Sequence, residues 1–318
     1  MIKGNKKNVT LLLLSVLLLL IAAFPVNAST RNLSGDIGVH DPAYIVENGT
    51  TWVFSTGQGI QVLWSSNGTT FNRGTQIFAS EPSWWSQYVP NHTKLDVWAP
   101  DIYYYNGKYH LYYSISSFGS NTSAIGLVTC TSIAKGDWVD QGMVVNSTSS
   151  SSYNAIDPNL FADKNGNLYM AFGSWFAGIY ITAIDKNTMK PTGNSYRVAT
   201  KSGGIEGASV IYNGSTGYYY LFVSIGNCCQ GTNSTYKVAV GRSTSVFGPY
   251  YAKDGTSMLN GGATVIDSGN ASWVGPGGQD IPSTNLIVRH AYSAADNGNP
   301  KLLISDLYWD SSGWPYYN

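Results

Sequence analysis

The 318-residue chain carries 18 basic and 18 acidic residues, so its formal net charge is zero, and only 11% of its residues are charged. No basic cluster follows the first few lysines, which argues against nucleic acid or an anionic membrane as a partner. Aromatic residues make up 14% of the chain, with 23 Tyr and 10 Trp. That composition suits β-sheet cores and a surface that stacks on neutral, hydroxyl-rich ligands.

The chain opens with Lys3, Lys6 and Lys7, then the apolar run "LLLLSVLLLLIAAF", then "VNA" at 26–28. This is the order of an export signal with its cleavage site. The run of about 14 residues is short for a membrane span of roughly 20. Residues 1–28 are therefore expected as a secretory signal, with a mature, extracellular chain from about Ser29. No Pro/Ser-rich linker or charge run divides 29–318, so a single domain is expected.

After the signal, no long 3.6-residue apolar period occurs, and short alternating strands separated by Gly/Asn/Asp turns dominate. The first is "DPAYIVENGTTWVFS" (41–55), an acid, a proline, an apolar run, an Asn-Gly turn and a second alternating run. The unit returns as "APDIYYYNGKYHLYYS" (99–114), "DPNLFADKNGNLYMAFGS" (157–174) and "EGASVIYNGSTGYYYLFVS" (206–224), and more loosely at 279–309. Asp41 to Asp101 spans 60 residues, Asp101 to Asp157 56, Asp157 to Glu206 49, and Glu206 to Asp280 74, the last with a Gly-rich insertion at 260–278. A propeller blade of four short strands takes about 40–50 residues plus loops. The chain is therefore expected to be all-β, a five-bladed β-propeller. A two-sheet sandwich is the alternative, but it does not predict the period.

The period gives the acids a meaning. Innermost strands of a propeller line one channel, so Asp41, Asp157 and Glu206, read as in register, converge at one end of it. Buried carboxylates are costly unless paired, and three together are read as a catalytic cluster. Asp101 is read as structural, and His92 and His110 as surface and strand residues. After residue 28, nine Asn-x-Ser/Thr sequons, among them Asn48, Asn67 and Asn213, suggest glycosylated turns. Three cysteines make no disulfide scaffold. Cys228–Cys229 is read as packing, a bridge from Cys130 is left open, and no zinc spacing occurs. Neither G-x-S-x-G nor H-E-x-x-H is present.

The segments "GVHDPAYI", "WAPDIYYYNGKYHLYYSISSFGSNTSAIGL", "NAIDPNL", "FGSWFAGI", "CCQGTNSTYKVAVGRS", "GPYYAKDGTSML" and "RHAYS", in this order, resemble glycoside hydrolase family 43, above all its endo-1,5-α-L-arabinanases. The resemblance runs from residue 38 to 315 and implies a five-bladed propeller. It also implies an inverting hydrolase of arabinan: Asp41 as general base, Glu206 as general acid, and Asp157 as the carboxylate that orients the acid and raises its pKa. Trp98, Phe118, Gly119, Asn154, Ser174 and Trp175 match substrate contacts, and His40 is read as a polar wall of the site. His290 matches a histidine beside a central metal, usually calcium, whose other ligands are largely water. No organic cofactor is expected. The expected partner is a polysaccharide, arabinan, bound by a monomer with no nucleic acid and no membrane. Two departures stand out. "EGA" replaces the family's "EAP" after the acid, and "GPGG" replaces "GPGH", placing Gly278 where a histidine is common. An exo-acting arabinofuranosidase or β-xylosidase, and a non-catalytic sugar-binding propeller, are the alternatives.

Overall fold

The computed structural model describes Met1 and residues 30–317; the expected export signal lies outside the described residues. The strands form five blades around an axis. Their innermost strands are Ala43–Glu47, Asp96–Tyr105, Asn159–Ala162, Ile205–Asn213 and Trp273–Ser283, each packed against the next and the last against the first. Within each blade the neighbouring long strands pair antiparallel. Asn48-Gly49 and Asn106-Gly107 join the inner two strands of the first and second blades, all four residues at positive φ. Such residues make the two-residue turns whose twist matches a hairpin.

The Gly-rich segment expected as an insertion is instead ordinary propeller. Thr264–Asp267 is the outer strand of the fourth blade, and Trp273 begins the inner strand of the fifth. The fifth blade has three strands of its own. Its outer edge is completed from the other end of the chain: Arg31 N–H donates to Ile304 O, and Leu302 N–H donates to Ile37 O. This ties residues 30–38 to the last blade and closes the circle.

Side chains alternate across each strand, so every blade is apolar on both faces. Tyr112 faces the third blade and Tyr113 the first; Leu221 faces the third and Phe222 the fifth. The result is five apolar clusters, one at each junction between neighbouring blades.

A regular feature sits at the head of each inner strand. Asp41, Ala99, Asp157, Gly207 and Gly278 all have φ between 41° and 58°. Their backbone N–H groups point at side chains, all five on the preceding blade: Asp41 at His290 Nδ1, Ala99 at Thr56 Oγ1, Asp157 at Ser114 Oγ, Gly207 at Asp157 Oδ2 and Gly278 at Ser224 Oγ. Two residues on, a second set of contacts crosses the blades. Asp101 accepts from Leu160 N–H, Asn159 from Val210, Ser209 from Ile281, and Asp280 from Tyr44. Only Ala43, the equivalent residue of the first blade, has no side chain to offer. Burial demands partners for these amides, and the partners lock each blade to the next.

This register corrects the alignment of acids read from the sequence. Asp41 and Asp157 are equivalent, but Glu206 lies one residue earlier in its strand, and Asp101 two residues later. Asp101 is buried and accepts from Asn159 Nδ2 and Leu160 N–H, a structural role as expected. His110 is buried in its strand, while His92 is wedged between Val89 O and Glu81. Asn213 is buried and its side-chain oxygen accepts from Ser215 N–H, so a glycan at its Nδ2 would have to displace the side chain. Cys228 and Cys229, read as packing, are instead disulfide-bonded to each other, and Cys130 is a buried free thiol.

Candidate active site

All five positive-φ residues line one axial cavity, together with Asp101 and Asp280 below them. Its volume of about 40 Å³ has room for about one to three waters or an ion. The three candidate carboxylates gather at its upper end. Each is reached by solvent on one edge and enclosed by protein on the others.

Asp41 is the most heavily tethered. Its Oδ2 accepts from Thr56 Oγ1 at 2.7 Å and faces His40 Nδ1 at 2.8 Å; Oδ1 lies 3.7 Å from His290 Nδ1. Burial by itself would raise this carboxyl, but the imidazole of His40, then His290 and the Thr56 hydroxyl, outweigh it and hold Asp41 well below the usual carboxylate range. His40 moves reciprocally. Burial lowers it, and the charge of Asp41 more than compensates, so its pKa is raised.

Glu206 accepts from Ser174 Oγ at 2.7 Å and from the Tyr236 hydroxyl at 2.8 Å. Burial raises its pKa in spite of these two donors, and the charge of Asp41 adds to the rise. Asp157 is pushed well above its ordinary value by burial first and then by Glu206 and Asp41, with Gly207 N–H at 3.0 Å the opposing contact. Asp157 and Glu206 titrate as a pair. The first cause of the raised Glu206 is thus burial, ahead of any like charge.

Of the expected contact residues, Ser174 bonds directly to Glu206, and His40 and His290 to Asp41. Trp98 occupies the position in the second blade that Glu206 holds in the fourth, with its indole N–H on Asp96. Asn154 is buried and accepts from Ser123. Phe118 is 87% exposed on a loop beside Gly119, and Trp175 is exposed with its ring edge over Gly204. Neither Phe118 nor Trp175 touches a carboxylate, so they can contribute only to a cleft outside the cluster. Thr56, Tyr236 and Tyr292 were not legible as site residues. Nothing in their local sequence distinguishes them from the many strand Thr and Tyr around them.

The two departures have local explanations. A Cβ on Gly278 would fall 2.3 Å from Asp41 Oδ1 and 2.9 Å from the His290 ring. No side chain fits there. Gly207 sits at φ 58, where glycine is free of the usual penalty.

Burial and His40 hold His290 neutral, against the pull of Asp41. Its Nε2 is buried without a hydrogen-bond partner among the described residues. An orphaned nitrogen on a ring packed beside Gly278, which lines the axial cavity, fits an ordered water. Calcium takes six to eight oxygen ligands, and the protein groups gathered here are His40, Asp41 and His290. The residues therefore fit only a largely hydrated calcium. Since Asp41 N–H donates to Nδ1, a neutral His290 carries its proton on Nε2. That N–H can donate to a water of a hydrated ion but cannot itself ligate the metal.

A model of "Glycosyl hydrolases family 43" matches residues 36–315. The chain is 53% identical to the extracellular endo-α-(1→5)-L-arabinanase 1 of Bacillus subtilis over 94% of each chain. It is 37% identical to the extracellular exo-α-(1→5)-L-arabinofuranosidase ArbA of Cellvibrio japonicus, over 95% of this chain and 91% of that one. The structure of the GH43 endo-arabinanase from Bacillus licheniformis superposes with a TM-score of 0.88 at 53% identity, covering 90% of this chain and 99% of that one.

Proposed function

The chain belongs to glycosyl hydrolases family 43, and on that premise we propose that it is an extracellular endo-1,5-α-L-arabinanase. It hydrolyses internal α-1,5-L-arabinofuranosidic bonds of linear arabinan. The endo reading follows the 53%-identical relative rather than the 37%-identical exo-acting one.

The observation that carries the mechanism is the split in acidity between Asp41, held below the usual carboxylate range, and the Asp157–Glu206 pair, shifted upward by burial. An inverting glycosidase needs one carboxylate to take a proton from water and one carboxylic acid to protonate the leaving oxygen, with the two roughly 6.5–9.5 Å apart. Asp41 suits the base: Oδ2 is anchored, and Oδ1 has no hydrogen bond among the described residues. Glu206 suits the acid, oriented by Ser174 and Tyr236. Asp157 holds the adjacent backbone at Gly207 and resists simultaneous ionisation of the pair. A calcium ion beside His290 would add positive charge near the cluster; the buried, partnerless Nε2 is its support. Its residues need only hold and orient; no proton transfer runs through it.

The test is product chromatography on linear arabinan with Glu206→Gln beside wild type. A spread of oligosaccharides should accumulate early, and the variant should lose about 10²–10⁴-fold in kcat. Arabinose as sole product from the first minutes would replace the endo reading by the exo one. Full activity in Glu206→Gln would remove the acid assignment.

A further inference from the structure

The disulfide between Cys228 and Cys229 lies at the edge of the cluster, not on the outside of the fold. Cys229 is exposed and stands at φ 64, a backbone region that side chains other than glycine rarely adopt. In that conformation its N–H points at the hydroxyl oxygen of Tyr292, 2.7 Å away. Tyr292 is buried, and burial first of all pushes its pKa up to about 12, so the phenol keeps its hydrogen. The same oxygen is 2.8 Å from His40 Nε2, and His40 Nδ1 is 2.8 Å from Asp41 Oδ2.

Cys229 N–H donates to the phenol oxygen and so fixes where that oxygen sits, and the His40 ring is held between that oxygen at Nε2 and Asp41 Oδ2 at Nδ1. The stacked ring of His290, 3.8 Å from His40 between centroids, keeps the imidazole from tipping.

We propose that the Cys228–Cys229 disulfide and Tyr292 are positioning residues for the reaction, fixing the orientation of His40 and through it the carboxylate of Asp41. Linking adjacent cysteines closes a small ring around their own peptide bond and removes the rotation by which Cys229 would otherwise relax to negative φ. Relaxation turns its N–H away from Tyr292, frees the phenol to shift, and leaves the His40 ring without its fixed partner at Nε2. Activity then depends on the oxidation state of this pair, consistent with a protein that works outside the cell. A dithiol such as dithiothreitol breaks the S–S bond by supplying two electrons and two protons, and itself closes to a cyclic disulfide. The exposure of Cys229 gives it access. The inference rests on Asp41 being the general base.

The experiment measures kcat and KM on linear arabinan for the full chain as wild type, Tyr292→Phe, Cys228→Ser/Cys229→Ser and Asp41→Asn. Each is assayed with and without dithiothreitol, and thiols are counted in denaturant. Reduction of wild type should raise the count from one thiol to three. With it, kcat should fall about tenfold or more while KM changes less than about threefold, as expected of misplaced rather than missing machinery. Reoxidation should restore kcat. Tyr292→Phe should show the same split with wild-type circular dichroism, and the double serine variant should start low and ignore dithiothreitol. The proposal is overturned if kcat of Tyr292→Phe or of reduced wild type falls less than about threefold, if the loss is in KM alone, or if the double variant still responds to reductant. If Asp41→Asn itself keeps activity, the assignment of the base has failed instead, which separates the two outcomes.

Discussion

Asn159 links three blades with one side chain, and its removal tests whether the axial hydrogen bonds hold the propeller together. Its Nδ2 donates to Asp101 Oδ1 at 3.0 Å, and its Oδ1 accepts from Val210 N–H at 2.8 Å, both contacts buried. In Asn159→Ala the Val210 amide loses its partner, a penalty of about 1–3 kcal/mol for a buried donor. Asp101 keeps only Leu160 N–H, losing a bond to a carboxyl group worth about 1.5–3 kcal/mol when that group is charged. Together the loss is about 3–5 kcal/mol near neutral pH, a large part of the roughly 5–15 kcal/mol by which domains are stable. With an unfolding entropy of about 2.1 cal/mol/K per residue over roughly 290 residues, Tm should drop by about 5–8 °C. Differential scanning calorimetry reads this directly, provided unfolding is reversible and two-state. The carboxylates of the site should keep their places, so kcat at 25 °C should change far less than the stability does. A loss below about 1 kcal/mol would refute the reasoning, because it would mean that the apolar clusters alone set the stacking of the blades.

Three further outcomes follow from the axis. Burial pushes Asp101 up to about 7, and burial together with Asp101 pushes Asp280 up to about 8. Acids with raised folded-state pKa stabilise fully below their ordinary value near 4, and that stabilisation is lost as pH climbs through 7 and 8. Melting curves should therefore show lower Tm at pH 9 than at pH 5, by several kcal/mol in stability, and Asp280→Asn should flatten the slope; an unchanged slope would clear Asp280 of the effect. Gly278→Ala would force a Cβ to within 2.3 Å of Asp41 Oδ1 at φ 53. It should cost about 1–3 kcal/mol by calorimetry and cut kcat by about a hundredfold, whereas wild-type kcat would show that the floor of the site yields freely. If a hydrated calcium sits beside His290, saturating calcium should raise Tm of chelator-treated protein by about 4–5 °C at a hundred times its dissociation constant, and equal melting curves with calcium and with chelator would exclude it.

Much of the architecture is written locally. The Asn-Gly turns at 48–49 and 106–107 need only their own two residues to reverse the chain, and side-chain alternation is a property of any strand. The number of repeats follows from those signals. Their phase does not. Four acids at similar intervals look equivalent, yet Asp41 and Asp157 share one position while Glu206 precedes it and Asp101 follows it. A shift of one residue changes which way a side chain points, and only pairing with neighbouring strands sets it. The same holds for the boundary of the last blade, where a Gly-rich run resembling an insertion is two strands.

Taken alone, the amino-acid sequence determined the strand-and-turn units, their fivefold repetition and the acids that stand near their heads, because each depends on contacts within a few residues. Closure of the circle decided the rest. His290 reaches Asp41 across 249 residues, Tyr292 reaches His40 across 252, and Tyr236 and Ser174 reach Glu206 from other strands. Proton affinities followed the same rule: the lowered pKa of Asp41 and the raised pKa values of Asp157 and Glu206 are consequences of what surrounds each carboxyl, and side chains distant along the chain supply most of that surrounding only when the last blade meets the first.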